Sequence, residues 1–202
     1  MILCYHTTSG AAGSYTDFHV DFGGTSVWYH VLRGHKRFFL IPPSAANLKA
    51  YEKWTCSKSQ DTVFLGDVVG KDECFQVDLL AGQTLMIPGA WIHAVFTPAD
   101  SLVFGGNFLH SYNIVRQLQV YLIEQKTHVG KQYRFPHFKV VNWYVLTSLL
   151  PIARKRLLGT AAQGNGRNTS VIYPFTYPPV DPPSNLSTLV SPTLLFTPPL
   201  SH

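Results

Sequence analysis

Between residues 14 and 41 apolar and polar positions alternate, interrupted by turn-forming residues. Alternation is the signature of a half-buried strand, because successive side chains leave opposite faces of the pleat. The pattern predicts strands over residues 14–22, 26–33 and 36–41, with Gly23-Gly24 as a turn and Gly34-His35 as a tight reversal. Pro42-Pro43 stops the third. Residues 44–55 then change period. Ser44 is placed to cap a helix, and Leu48, Tyr51 and Trp54 fall near one face. Strands resume over 74–79, 83–87, 93–96 and 101–104, separated by Ala81-Gly82, Pro88-Gly89, Pro98-Ala-Asp100 and Gly105-Gly106. Many short strands at this spacing predict a sandwich or a closed barrel. Helices are expected over 112–126 and 138–150. The apolar run 140–153 is too short to span a bilayer. It carries Asn142 and Pro151 and is expected to be a buried helix.

Composition narrows this picture. Of 202 residues, 46% are hydrophobic and 13% charged, which excludes a charge-rich disordered protein and a coiled coil. Three cysteines, Cys4, Cys56 and Cys74, are too few and too scattered for a disulfide framework or a Cys-x-x-Cys knuckle. A reduced, intracellular compartment is the expectation. The first residues lack the pattern of a signal peptide. Charge is uneven. Residues 1–124 hold eight Lys/Arg and ten Asp/Glu, whereas residues 125–158 hold seven Lys/Arg and no acid. A basic flank on a near-neutral core suggests an anionic partner such as nucleic acid or chromatin, or else a solvated helix end. Three segments are expected: 1–125 as the core, 126–158 as a basic helical extension, and 159–202 as a Pro/Ser/Thr-rich disordered tail.

Chemistry enters at His19-Val-Asp21. On a strand, residues i and i+2 share a face, so an imidazole and a carboxylate converge there. One distant histidine would complete a two-His, one-carboxylate triad, the donor set that suits non-haem Fe(II) and leaves positions open. The short motif alone is weak. His93 and His110 are the candidates for the third ligand, with His93 preferred because a late barrel strand can lie beside the one bearing His19. Lys36 is in phase with Phe38 and Leu40. Its ammonium therefore points either inward, where burial demands an anionic partner, or outward as a surface lysine. Thr16 could donate a hydroxyl to the same anion. His30, His35, His128 and His137 are expected at the surface or in packing. Trp28, Phe38, Phe39, Trp91 and Phe104 are expected in the core.

These residues resemble a known family. Ser14-Tyr-Thr16-Asp-Phe-His19-Val-Asp21-Phe-Gly-Gly-Thr-Ser-Val-Trp-Tyr29-His is similar to the Jumonji C (JmjC) domain of histone lysine demethylases. So are Phe64-Leu-Gly-Asp67, Ile87-Pro-Gly-Ala-Trp-Ile-His93 and Phe104-Gly-Gly-Asn107-Phe-Leu-His110. Gln132-Tyr-Arg-Phe-Pro136 and Trp143-Tyr-Val-Leu146 extend the likeness toward the JmjC domain-containing histone demethylase 1 branch. The resemblance implies a mainly β fold with flanking helices: a double-stranded β-helix (jelly-roll, cupin-like) core followed by C-terminal helices. It implies that His19, Asp21 and His93 bind Fe(II), that Thr16 and Lys36 hold the distal carboxylate of 2-oxoglutarate, and that Tyr29 and Asn107 line the cosubstrate pocket. The implied reaction uses O2 to hydroxylate an N-methyl group, which leaves as formaldehyde. The implied substrate is mono- and dimethylated lysine 36 of histone H3. The histone H3 tail or nucleosome becomes the expected partner, with DNA contact through 126–158 and a nuclear location.

The chain also departs from the family. An upstream Asn that contacts 2-oxoglutarate in its members is absent, and residues 9–13 look like an insertion. An N-terminally truncated fragment is expected. Two other functions remain open: a JmjC hydroxylase acting on a non-histone side chain, and a catalytically inactive chromatin-binding domain.

Overall fold

The computed structural model describes residues 2–161 and 190–191. The described strands are β1 (Ile2–Gly10), β2 (Tyr15–His19), β3 (Ser26–Ile41), β4 (Phe75–Leu80), β5 (Thr84–Ile87), β6 (Ile92–Leu109) and β7 (Val190–Ser191), and every pairing is antiparallel.

Two long strands organise the sheet. β3 and β6 pair from Ser26 opposite Phe108 to Ile41 opposite Ile92. Each serves two neighbourhoods. The start of β3 pairs with β5, Val27 opposite Ile87, and its end pairs with β4, Leu40 opposite Phe75. On the far edge of β6, Phe96 and His93 face β2, while Ser101 to Leu109 face β1. The sheet thus reads as two four-stranded halves, β1-β6-β3-β5 and β2-β6-β3-β4, joined by the continuous strands.

Bulges bend one half over the other. The β3–β6 register shifts between Val31 and Arg33, Arg33 and His35, and His35 and Arg37, and such irregularities kink and twist a strand. Val27, Val31, Leu85, Ile87 and Val103 of one half share a core with Phe38, Leu40, Val77 and Leu79 of the other. The Tyr29 and Phe38 rings meet edge to face at 5.1 Å across it. This is the mainly β, jelly-roll-like core that the resemblance implies.

The expected reversal at Gly34-His35 does not occur. Gly34 has φ +94°, and a Cβ there would strike the Asp100 and Ser101 backbone. The Ser101 hydroxyl stitches the bulge, donating to the His35 carbonyl (3.0 Å) and accepting from its amide (3.2 Å). Glycine therefore bends one strand where it was expected to end two. Likewise β6 runs unbroken through Pro98-Ala-Asp100 and Gly105-Gly106, the proline sitting where the ladder is already irregular.

Helices cover the outer face of the second half. In α1 (Ala45–Thr55), Ser44 caps as expected, its side chain accepting from the Asn47 amide at 3.1 Å. Leu48 and Trp54 of α1, Leu65 of α2 (Leu65–Val69) and Ile123 of α3 (Ile114–Lys126) pack on Phe18, Ile41, Ile92 and Ala94. α4 (Phe138–Ala161) runs on past Pro151, beyond the expected end at 150. The expectation of a buried helix there is overturned. Phe138 is anchored beside Phe135 and Leu109, but Trp143 is 67% and Leu150 56% exposed. Apolar character shows that a helix would bury surface if a neighbour were present; it does not supply the neighbour. Phe104, expected in the core, lies on the solvent side of β6, whereas Phe38 and Trp91 are buried as expected. Among the described residues no helix is long and apolar enough to cross a membrane. The expected tail, 159–202, lies outside the described residues apart from the last turn of α4 and β7.

Candidate metal centre

β2 delivers His19 at its C-terminal end and β6 delivers His93 at its start, and the register sets the two opposite one another. Their rings lie 4.3 Å apart, centroid to centroid. Asp21 joins them from a different element than expected. The strand ends at His19, and Asp21 stands just before a 3-10 turn, Phe22–Gly24, so the pleat alone does not bring it in. Its Oδ2 lies 3.7 Å from His93 Nε2. One ligand atom from each of His19, Asp21 and His93 falls within 4.8 Å of the others, the separation a single metal ion bridges. His93, rather than His110, therefore completes the set. The His110 ring faces Ser26 instead, Nε2 to Oγ 3.1 Å.

Hydrogen bonds around the triad leave one free donor atom on each side chain. His19 Nδ1 is 2.9 Å from the Asp17 carbonyl, and His93 Nδ1 is 3.2 Å from the Trp91 carbonyl. A carbonyl only accepts, so Nδ1 carries the proton and Nε2 keeps its lone pair for a metal. Asn107 Nδ2 donates to Asp21 Oδ1 at 3.2 Å and to Thr25 Oγ1 at 2.9 Å, leaving Oδ2 on the side of His93. The His93 pKa is pushed down to about 4, first by burial and then by the nearby His19, against the pull of Asp21. The neutral, coordinating form is thus the resident one at neutral pH. The donor set and its pre-set tautomers fit a divalent metal.

A second group faces the same interior. On β6, His93, Val95 and Thr97 share a face, and Lys36 of β3 is in phase with Phe38 and Leu40, which pair with Val95 and His93. Lys36 is 4% exposed, and its ammonium donates to Thr97 Oγ1 at 2.7 Å. No carboxylate pairs with it among the described residues. Burial lowers its pKa. An interior ammonium with one hydroxyl acceptor is incompletely compensated, and an anionic ligand would complete it. The inward alternative for Lys36 is the one realised.

Thr16, itself exposed, is set on that face by a bulge. Spacing of three from His19 would put it on the opposite side of a regular strand. Instead Thr16 pairs with Val95 and His19 with His93, so three steps on β2 match two on β6. Tyr29 lies on the same core, its phenol pKa pushed up to about 12 by burial, so it stays a hydrogen-bond donor. Asn107 braces Asp21 in place of standing free in the pocket. Thr97 is the residue that sequence reasoning overlooked. Its even spacing from His93 was the available signal. Of the remaining histidines, His30 bonds Thr84 and His35 bonds Asp78.

A family model described as "JmjC domain, hydroxylase" matches residues 6–108, and one described as "Jumonji helical domain" matches residues 112–160. Lysine-specific demethylase 2A of Xenopus tropicalis is 59% identical over 134 residues, covering 66% of this chain and 12% of the relative. JmjC domain-containing histone demethylation protein 1 of Aspergillus fumigatus is 46% identical over 176 residues, covering 86% of this chain and 12% of the relative. This chain thus spans about an eighth of either relative's length. Among solved structures, a W96F oxalate decarboxylase from B. subtilis aligns with TM-score 0.36 and 12% identity, over 54% of this chain and 22% of that one. A cupin superfamily protein from Desulfitobacterium hafniense aligns with TM-score 0.33 and 15% identity, over 54% of this chain and 68% of that one. With a JmjC match over half its length, a triad of His19, Asp21 and His93 and a helical segment after the core, the chain belongs to the JmjC domain family.

Proposed function

We infer that this chain carries the catalytic centre of an Fe(II)- and 2-oxoglutarate-dependent histone lysine demethylase, acting on mono- and dimethylated lysine 36 of histone H3. The observation that carries the reading is the pairing of a His19–Asp21–His93 triad with a buried, anion-deficient Lys36 on the same interior face. His19, Asp21 and His93 would hold the metal. Lys36, with Thr16 on the same face, would take the distal carboxylate of 2-oxoglutarate, and Tyr29 would offer its phenol to the pocket. The chemistry supplied there is coupled: 2-oxoglutarate, dioxygen and the methylated lysine give succinate, carbon dioxide, formaldehyde and the demethylated lysine. This chain's residues keep the imidazoles in the coordinating tautomer, aim the carboxylate and neutralise the cosubstrate. The relatives named for histone demethylation support the substrate class, and with it a nuclear location and a nucleosomal partner.

The family description "hydroxylase" favours a second reading, stable hydroxylation of a side chain other than methyl-lysine. The two differ in product. Mass spectrometry of a dimethyl-lysine-36 histone H3 peptide with protein, Fe(II), ascorbate and 2-oxoglutarate is the test. Stepwise loss of methyl mass with formaldehyde release, absent in His93→Ala, is the expected result. A stable gain of one oxygen would favour hydroxylation, and methyl loss undiminished in His93→Ala would remove the triad from the mechanism.

A further inference from the structure

The turn that carries Asp21 is held from outside the β core. Asp21 leads into Phe22–Gly24, where Gly23 and Gly24 both have φ +62°. Four residues of the helical segment close on those two glycines. The Glu124 carboxylate of α3 accepts the Gly23 amide at 2.7 Å, and Asn113, which precedes α3, donates Nδ2 to the Gly24 carbonyl at 3.2 Å. A Cβ on Gly24 would lie 2.8 Å from the Gln117 Cα, and one on Gly23 would lie 2.8 Å from Phe135 Cβ. Helix and turn are therefore in backbone contact, which only glycine permits. Glu124 is 6% and Asn113 5% exposed, so these are interior bonds that water does not replace.

The turn passes this grip to the carboxylate by two routes. Asp21 is joined covalently to the clamped residues, and its carbonyl accepts the Gly24 amide at 3.0 Å. At the other end, Thr25 Oγ1 donates to the Phe22 carbonyl and accepts from Asn107, the same amide that donates to Asp21 Oδ1. Asn113 also abuts Gly89, in the loop leading to His93, and the Gly89 amide donates to Ser26 Oγ at the start of β3.

We propose that Glu124 and Asn113 are positioning residues of the metal centre, through which the helical segment sets where the Asp21 carboxylate stands. This rests on the reading of the triad as a metal site. The helical segment is then part of the site, although none of the three candidate ligands comes from it. Glu124 acts as an acceptor for one amide, a role that glutamine can fill without charge.

Titration of the metal-free 202-residue chain with Co(II), followed by its visible absorption, tests this without turnover. Outer partners of metal ligands typically contribute 10–100-fold in affinity. Glu124→Ala is expected to weaken Co(II) binding about tenfold and to alter the band shape, with Glu124→Gln within about twofold of wild type. Should Glu124→Ala not fold, Asn113→Ala decides in the same titration, with a fall expected. Wild-type affinity and spectrum in the folded variant overturn the proposal, as does a loss in Glu124→Gln equal to that in Glu124→Ala. Separately, a Co(II) spectrum unchanged by His93→Ala would sink the metal reading itself.

Discussion

Thr97 shows how one hydroxyl sets the character of an interior cation. It is 2% exposed, and its Oγ1 accepts from the Lys36 ammonium at 2.7 Å. Thr97→Val keeps the shape and removes the acceptor. A hydrogen bond to a charged group contributes about 1.5–3 kcal/mol; if this bond aims the ammonium at 2-oxoglutarate, as the proposed function has it, the KM for 2-oxoglutarate is expected to rise roughly tenfold, with kcat changed far less. Thr97→Ser should restore most of it. Steady-state kinetics in 2-oxoglutarate checks this; equal KM values in wild type and Thr97→Val would show that Lys36 is held without the threonine. His93 gives a pH signature. Its folded pKa, about 4, lies below the ordinary 6.5, so the folded state binds fewer protons than the unfolded one. The associated stability is present above pH 6.5 and is lost as pH falls through 4. The loss is on the order of 3 kcal/mol for a shift of this size. Urea unfolding of metal-free protein between pH 7 and 4 should show that decline, flattened in His93→Gln. Parallel pH profiles for the two proteins would contradict it.

At the scale of elements, irregularity places the chemistry. Without its bulge, β2 would turn Thr16 away from the face that His19 occupies. The kink in β3 and β6, centred on Gly34 and Ser101, closes the two halves around Phe38 and Leu40. The loop before His93 depends on another glycine. A Cβ on Gly89 would strike the Gly24 carbonyl, which is backbone, and Asn113 Nδ2, the end of a buried side chain already bonded to that carbonyl. Gly89→Ala is therefore expected to cost about 1–3 kcal/mol, the range for overpacking a filled interior. It should also loosen metal binding, because the loops of Asp21 and His93 meet there. Urea midpoints read the first effect and Co(II) titration the second. A midpoint equal to wild type would mean that the loops have room to part.

At the scale of the molecule, the helical segment faces two ways. Toward the core it grips the Asp21 turn. Away from it, α4 presents Trp143, Tyr144 and Leu150 to solvent. The basic residues travel with this segment, and Arg154 and Lys155 are exposed on α4. If they meet nucleosomal DNA, as the proposed function has it, each phosphate left without its basic side chain lowers the slope of log K against log salt by about 0.9. Arg154→Ala with Lys155→Ala is thus expected to lower the slope of nucleosome binding by up to about two, measured by titration at several salt concentrations. An unchanged slope would make both residues plain surface charge.

Much of this was legible in the chain alone. Alternation marked the strands, Ser44 announced its helix, and the His19-x-Asp21 spacing with the family likeness named the ligand set. Lys36 was suspect because its parity matched Phe38 and Leu40. These are local signals: period, cap and spacing are properties of neighbours in sequence. What the chain did not disclose depends on partners distant in sequence. Whether Gly34 ends a strand or bends it depends on the Asp100 backbone. Whether Thr16 joins His19 depends on the register with β6. Whether Asn107 faces the pocket or braces Asp21 depends on a side chain 86 residues away. Whether an apolar helix such as α4 is buried depends on what is packed against it. Amino-acid order sets which groups are available and how the backbone is inclined locally; only the folded arrangement decides which of them meet.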